Sequence, residues 1–336
     1  MNHKNSVSFL PTEPIGSIPR PPELIAKFEQ FLHGTLSQPE LAFAEAAAVD
    51  LTIAQFEATG SPTITDGRLR SLPQLTEGPF RYSQCAADHL KYALTKTSLP
   101  VKQTVFSPSA LSMIYPPQGV PGYSRDEFLS DLVSEVERDI RQCLEACADS
   151  VQMDFTSTDP KLLEEFIEIN NRVLDRFSAE DRKKIGIHSY PGALPDLFRL
   201  NAGRFYLPLS NEKNRPRVLA SIRANLKPNQ FIFIGVVDPT NPHIETPKKV
   251  RELILEAARY IPLDRLGTTD DCGFSGDRST SRETAFAKIK ARVQGTALAR
   301  EALRPRFVNL PVFNQSTQAA EPKFRPLRSQ THPAFC

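Results

Sequence analysis

The sequence predicts an α/β protein built as a (β/α)8 TIM barrel, and three observations carry that expectation. Eight short apolar segments alternate with longer segments of helical period. Several of the short ones, such as Phe231-Ile-Phe-Ile-Gly-Val-Val237, are apolar throughout, which suits parallel strands covered on both faces. Six end on a polar side chain, Ser17, Asp66, Asp154, His188, Asp238 or Cys272, as strands leading to one functional mouth would. The rival, a doubly wound sheet, lacks its usual support, because no Gly-x-Gly-x-x-Gly follows the first strand.

In chain order the expected strands are 9–17, 62–66, 101–106, 151–155, 185–189, 205–209, 231–237 and 266–270. The expected helices are roughly 40–58, 83–96, 125–148, 160–183, 195–202, 213–225, 247–260 and 281–301. Ser124-Arg-Asp-Glu127 is a capping box ahead of the stripe Phe128, Leu129, Leu132, Val133, Val136, Ile140 and Leu144. Thr246-Pro247 sets a cap residue before a proline at the first helical position. The proline-rich stretch 107–123 reads as a long loop. The barrel is expected over 1–303, and an irregular tail rich in Pro, Ser, Gln and Thr over 304–336.

Composition narrows the function classes. The formal net charge is +2, so no bulk field argues for nucleic acid or a membrane surface. The chain has no Trp and seven Tyr, a poor basis for a base-stacking platform. No apolar run approaches the roughly 18–20 residues of a membrane span, and the first residues lack a signal-peptide core. Five scattered cysteines do not make a disulfide framework. The expectation is a cytoplasmic protein with reduced thiols and a small-molecule substrate. No feature sets an oligomeric state.

Within the mouth, Cys272 of Asp271-Cys272-Gly273 and His188 form the obvious metal pair, since zinc takes thiolate sulfur and imidazole nitrogen. A buried thiol and a hydrogen-bonded strand-end histidine would explain the same residues. Asp154, Glu212 and Asp238 could add a ligand or bind an amine, and each could equally cap a helix or brace a loop. Gly16-Ser17 offers close backbone approach and hydroxyl and amide donors.

Taken in order, Phe9-Leu-Pro-Thr-Glu-Pro-Ile-Gly-Ser-Ile-Pro-Arg20, Ile64-Thr-Asp-Gly67, Val151-Gln-Met-Asp154, Ile187-His188, Gly235-Val-Val-Asp238 and Asp271-Cys-Gly273 resemble the C-terminal catalytic barrel of cobalamin-independent methionine synthase and its single-domain relatives. That resemblance implies zinc at the mouth and methyl transfer from a methyl-folate to a zinc-bound thiol. It implies His188, Cys272 and Glu212 as metal ligands, with Ser17 and Asp154 holding an amino-acid substrate. Two positions depart from the family. Tyr190 stands where a second cysteine ligand is expected, and a phenol with its reference pKa of about 10 is a poorer zinc ligand. Arg68 stands where an acid would help hold the substrate ammonium, and a guanidinium there suits an anion instead. The expectation is therefore a methyltransferase-like barrel with a changed substrate or a weakened metal site, used in a specialised, secondary-metabolite pathway. A zinc-dependent homocysteine methyltransferase and a barrel without catalysis are its alternatives.

Overall fold

The computed structural model describes residues 9–67, 75, 77–154, 160–189, 191–275 and 280–304. Six parallel strands pair in sequence order: β1 (Lys102–Val105), β2 (Ser150–Asp154), β3 (Ile185–His188), β4 (Arg204–Leu207), β5 (Phe231–Gly235) and β6 (Leu266–Thr269). Each joins the next through a helical or turn-rich crossover, as parallel neighbours require. Their apolar side chains are almost all buried, as Ile185, Ile187, Phe205, Ile232 and Ile234 illustrate.

The first two expected strands shrink to single bridges. Thr12 pairs with Thr268 of β6, and Ile64 pairs with Val101 beside β1. Pro11, Pro14 and Pro62 have no N–H to give a ladder, which limits pairing on these segments. The two segments still meet. Ile18 donates its N–H to the Gly67 carbonyl at 3.1 Å, and Thr65 Oγ1 donates to the Gly16 carbonyl at 2.9 Å. These contacts close the ring into a (β/α)8-type barrel.

Helices clothe the outside. Gln38–Ala58, Ala86–Leu94, Arg125–Glu145, Arg215–Asn225, Pro247–Ala257 and Arg282–Leu303 match expected ones. The expected 160–183 helix is divided into Pro160–Leu174 and Ala179–Arg182, and that over 195–202 reduces to the 3-10 turn Asp196–Arg199. Helix Pro22–Leu32 lies outside the expected set; Pro22 occupies its first turn, where a missing N–H is tolerated. The loop 107–123 contains a short helix, Pro108–Ser112. Both anticipated caps form. Glu127 Oε2 accepts the Ser124 N–H at 2.8 Å, and Thr246 Oγ1 accepts the Lys249 N–H at 3.2 Å. Among the described residues no helix is long and apolar enough to cross a membrane. The tail expected from 304 lies, beyond Arg304, outside the described residues.

The barrel interior is more charged than the apolar strands suggest. Lys102 on β1 is fully buried, with its ammonium 4.2 Å from the Tyr206 ring centroid and 3.9 Å from Glu13. Glu13 also accepts from Tyr206 Oη at 2.8 Å and Arg204 Nη1 at 2.7 Å. Asp270 accepts the Ile15 N–H at 3.2 Å and pairs with buried Arg292 at 2.8 Å. Arg292 reaches on to Thr12 Oγ1 at 2.6 Å. Buried charges are tolerable when paired in this way.

Candidate active site at the barrel mouth

The mouth is organised by Asp271, two residues beyond the end of β6. Its buried carboxylate accepts the N–H groups of Leu209 and Ser210, both at 3.0 Å, and the Ser210 hydroxyl. Its own N–H donates to Val237 at 2.9 Å. Burial is the largest influence on this carboxyl and pushes its pKa up to about 6, against the lowering effect of the Ser210 and Leu209 hydrogen bonds. One side chain thus ties the loop after β4 to the loop after β6.

Gly273 brings a second pair of segments together. A Cβ on Gly273 would lie 1.8 Å from Ser17 Oγ, so glycine lets the Cys272 loop approach Ser17 this closely without displacing its hydroxyl. Phe274 donates its N–H to the Ser17 carbonyl at 2.8 Å. In Asp271-Cys272-Gly273 the acid and the glycine therefore build the mouth, and Cys272, half-buried and not in a disulfide, is presented between them.

His188 ends β3 with its ring buried. Its Nε2 lies 3.2 Å from the Asp271 carbonyl, which can only accept, so Nε2 carries the hydrogen. Its Nδ1 lies 3.2 Å from Asp154 Oδ1 at the end of β2, within hydrogen-bond reach. Pairing of Met153 with Ile187 and of Asp154 with His188 in the β2–β3 register sets these side chains next to each other. Asp154 remains about one-fifth exposed and so faces the mouth.

The remaining expected site residues divide. Ser17 and Asp66 are buried at the ends of their segments. Asp238 is occupied by its own turn: Oδ1 accepts from Thr240 N at 2.9 Å and Thr240 Oγ1 at 2.8 Å, and Oδ2 accepts from Asn211. Glu212 accepts the Asn214 N–H at 2.9 Å, bracing the start of helix Arg215–Asn225. Arg68 and Tyr190 lie outside the described residues.

Zinc can be tested against this donor set. Both His188 nitrogens face oxygen acceptors, and Glu212 is bound to its own turn. Among the described residues no three His, Cys, Asp or Glu side chains converge to hold a metal ion. The arrangement described does not fit a zinc centre. Sequence reasoning also passed over Gln152, which stands inside the Val151-Gln-Met-Asp154 motif and touches two parts of the mouth. Alternation along β2 puts it on the same face as Asp154, a signal that was available.

Beside the Asp66 end of the barrel lies a cleft of about 670 Å³, lined in part by Asp66, Phe80, Tyr82, His89, Thr104 and Phe106.

Comparison with known proteins agrees with the barrel fold. Residues 168–297 match the family described as the catalytic domain of cobalamin-independent synthase. A methionine synthase of Sulfurisphaera tokodaii is 24% identical, over 91% of this chain and 97% of its own length. The structure of a B12-independent methionine synthase from Shewanella sp. W3-18-1, in complex with selenomethionine, superposes with a TM-score of 0.68 at 16% identity, covering 88% of this chain and 99% of that one. A methyltransferase from Methanosarcina mazei superposes with a TM-score of 0.54 at 14% identity, covering 86% and 94%. By sequence over most of its length and by fold, the chain is similar to the cobalamin-independent methionine synthases.

Proposed function

We infer that this barrel is a methyl-transfer enzyme of the methionine-synthase type, acting on a small amino-acid-like or thiol substrate in a specialised, secondary-metabolite pathway. The observation that carries the reading is the Asp154–His188 pair, at 3.2 Å, on the same mouth as the loops of Ser17 and Cys272. A partly exposed carboxylate is a partner for a substrate ammonium. Ser17, whose carbonyl accepts the Phe274 N–H of the Cys272 loop, adds a hydroxyl to the residues of this mouth. The cleft near Asp66 offers room for a methyl donor such as methyl-folate. The full-length match to methionine synthases supports the reaction class.

A zinc-dependent homocysteine methyltransferase using methyl-folate is the second reading. It is favoured by His188 and Cys272 sharing one mouth through Asp271, and opposed by the oxygen partners of both His188 nitrogens and by the Asn214 N–H that Glu212 accepts. The two separate by metal analysis of protein purified without chelator, paired with assay of methyl transfer. Thiol methylation at well under one equivalent of zinc is the expected result. Homocysteine methylation that rises in proportion to bound zinc, up to one equivalent, would move the assignment to the second reading. A folded protein that methylates nothing would leave a barrel without catalysis.

A further inference from the structure

We propose that Gln152 is a positioning residue for substrate binding, clamped from below by Lys102 so that it holds both Asp154 and the Ile15–Ser17 segment in place. The inference rests on reading the mouth as an amino-acid site. Gln152 is completely buried on β2, between the charged barrel interior and the mouth. Lys102 Nζ donates to Gln152 Oε1 at 2.8 Å. Gln152 Nε2 then donates to the Ile15 carbonyl at 3.2 Å and to Asp154 Oδ1 at 3.4 Å.

Lys102 determines which way the amide points. An ammonium has three donors and no acceptor. The opposite orientation would set Nε2 against the ammonium and Oε1 against two acceptors, opposing like groups at both ends. A buried network cannot carry that mismatch cheaply. The lysine is itself held by the Tyr206 ring and by Glu13, so it cannot swing away to water. Gln152 therefore presents N–H groups, and only N–H groups, toward the mouth.

The consequence is specific. Asp154 Oδ1 is engaged by Gln152 and by His188. That fixes the carboxylate plane and the direction in which it can receive a ligand cation. The same amide holds the carbonyl of Ile15, whose N–H is held by Asp270. Ser17, two residues on, is located from the same anchor. Loss of the amide should weaken recognition of a ligand's ammonium, while contacts made by other groups persist.

The test compares the full-length protein with Gln152→Met and Gln152→Asn by calorimetry, using L-homocysteine and its desamino analogue 4-mercaptobutanoate. The first variant keeps the volume without the amide. The second keeps the amide but shortens it, so it cannot reach both Lys102 and Asp154. In the unaltered protein L-homocysteine should bind more tightly than the analogue. Both variants should weaken L-homocysteine by about tenfold and leave the analogue within about twofold. A folded variant that keeps the full preference for the amine overturns the positioning role. An unaltered protein that binds neither compound overturns the amino-acid reading of the mouth, and the positioning role with it. Should neither variant fold, the side-chain amide of Gln152 in 15N-labelled unaltered protein decides. A resonance shift with L-homocysteine but not with the analogue supports the role, and equal or absent shifts contradict it.

Discussion

Two glycines show how single side chains shape the mouth. A Cβ on Gly235 would meet Asp271 Oδ1 at 2.0 Å and the Asp271 Cα at 2.8 Å. The backbone of the β6 loop would have to move, so Gly235→Ala should lower stability by about 1–3 kcal/mol in chemical denaturation. Gly273→Ala meets chiefly a movable group, with Ser17 Oγ at 1.8 Å and the Ser17 Cα at 3.7 Å. Its effect should fall on ligand binding, through a displaced Ser17, more than on the melting temperature. Lys102 gives a pH signature. Burial, the largest influence, lowers its pKa from 10.5 to about 8, opposed by Glu13 and Asp270 and reinforced by Arg292 and Arg204. A base depressed in the folded state costs stability while both states are protonated. That cost is relieved as pH rises from the folded value toward the unfolded value of about 10.4. The stability of the unaltered protein relative to Lys102→Met should therefore rise between about pH 7.5 and 10, by roughly 1–3 kcal/mol. A flat difference would mean that burial does not depress the lysine's pKa in the folded state.

At the scale of elements, local chemistry was legible where it acts within a few residues. The Ser124–Glu127 capping box is present on both sides, and Ser124→Ala should cost about 1 kcal/mol, measured by denaturant midpoint at constant slope. The strand Phe231–Gly235 was equally legible, because burial on both faces leaves an apolar run between helical periods. The segments 9–17 and 62–66 read as full strands from the same hydrophobicity, but their prolines restrict them to one bridge each. The mouth was half legible. His188, Asp154 and Cys272 announce themselves as polar ends of apolar runs. Their partners do not: Asp154 meets Gln152 and His188 through strand register, and Asp271 meets Ser210 across 61 positions of chain. Glu212 and Asp238 carry the same residue types and serve local turns, a distinction that only geometry makes.

At the scale of the whole molecule, closure of the barrel depends on the buried charges that composition hides. Arg292, on the last described helix, joins Asp270 at the end of the β6 segment to Thr12 on the first segment. Arg292→Met would leave Asp270 buried without its ion-pair partner and should destabilise the fold by about 3–5 kcal/mol. The matching loss in Asp270→Asn should not add to it, because both changes break one interaction. Closure also brings the Ile15–Ser17 segment over β2, which completes the mouth around Asp154 and His188. On the proposed reading, this mouth supports methyl transfer to a small amino-acid-like or thiol substrate although the described donors do not assemble a zinc centre. The most direct measurement is mass-spectrometric detection of methyl transfer from a methyl-folate to a panel of amino-acid thiols, by protein whose zinc content has been determined. A methylated product at well under one equivalent of zinc, abolished in Asp154→Ala, is the expected result; no methylated thiol from a folded protein would contradict it.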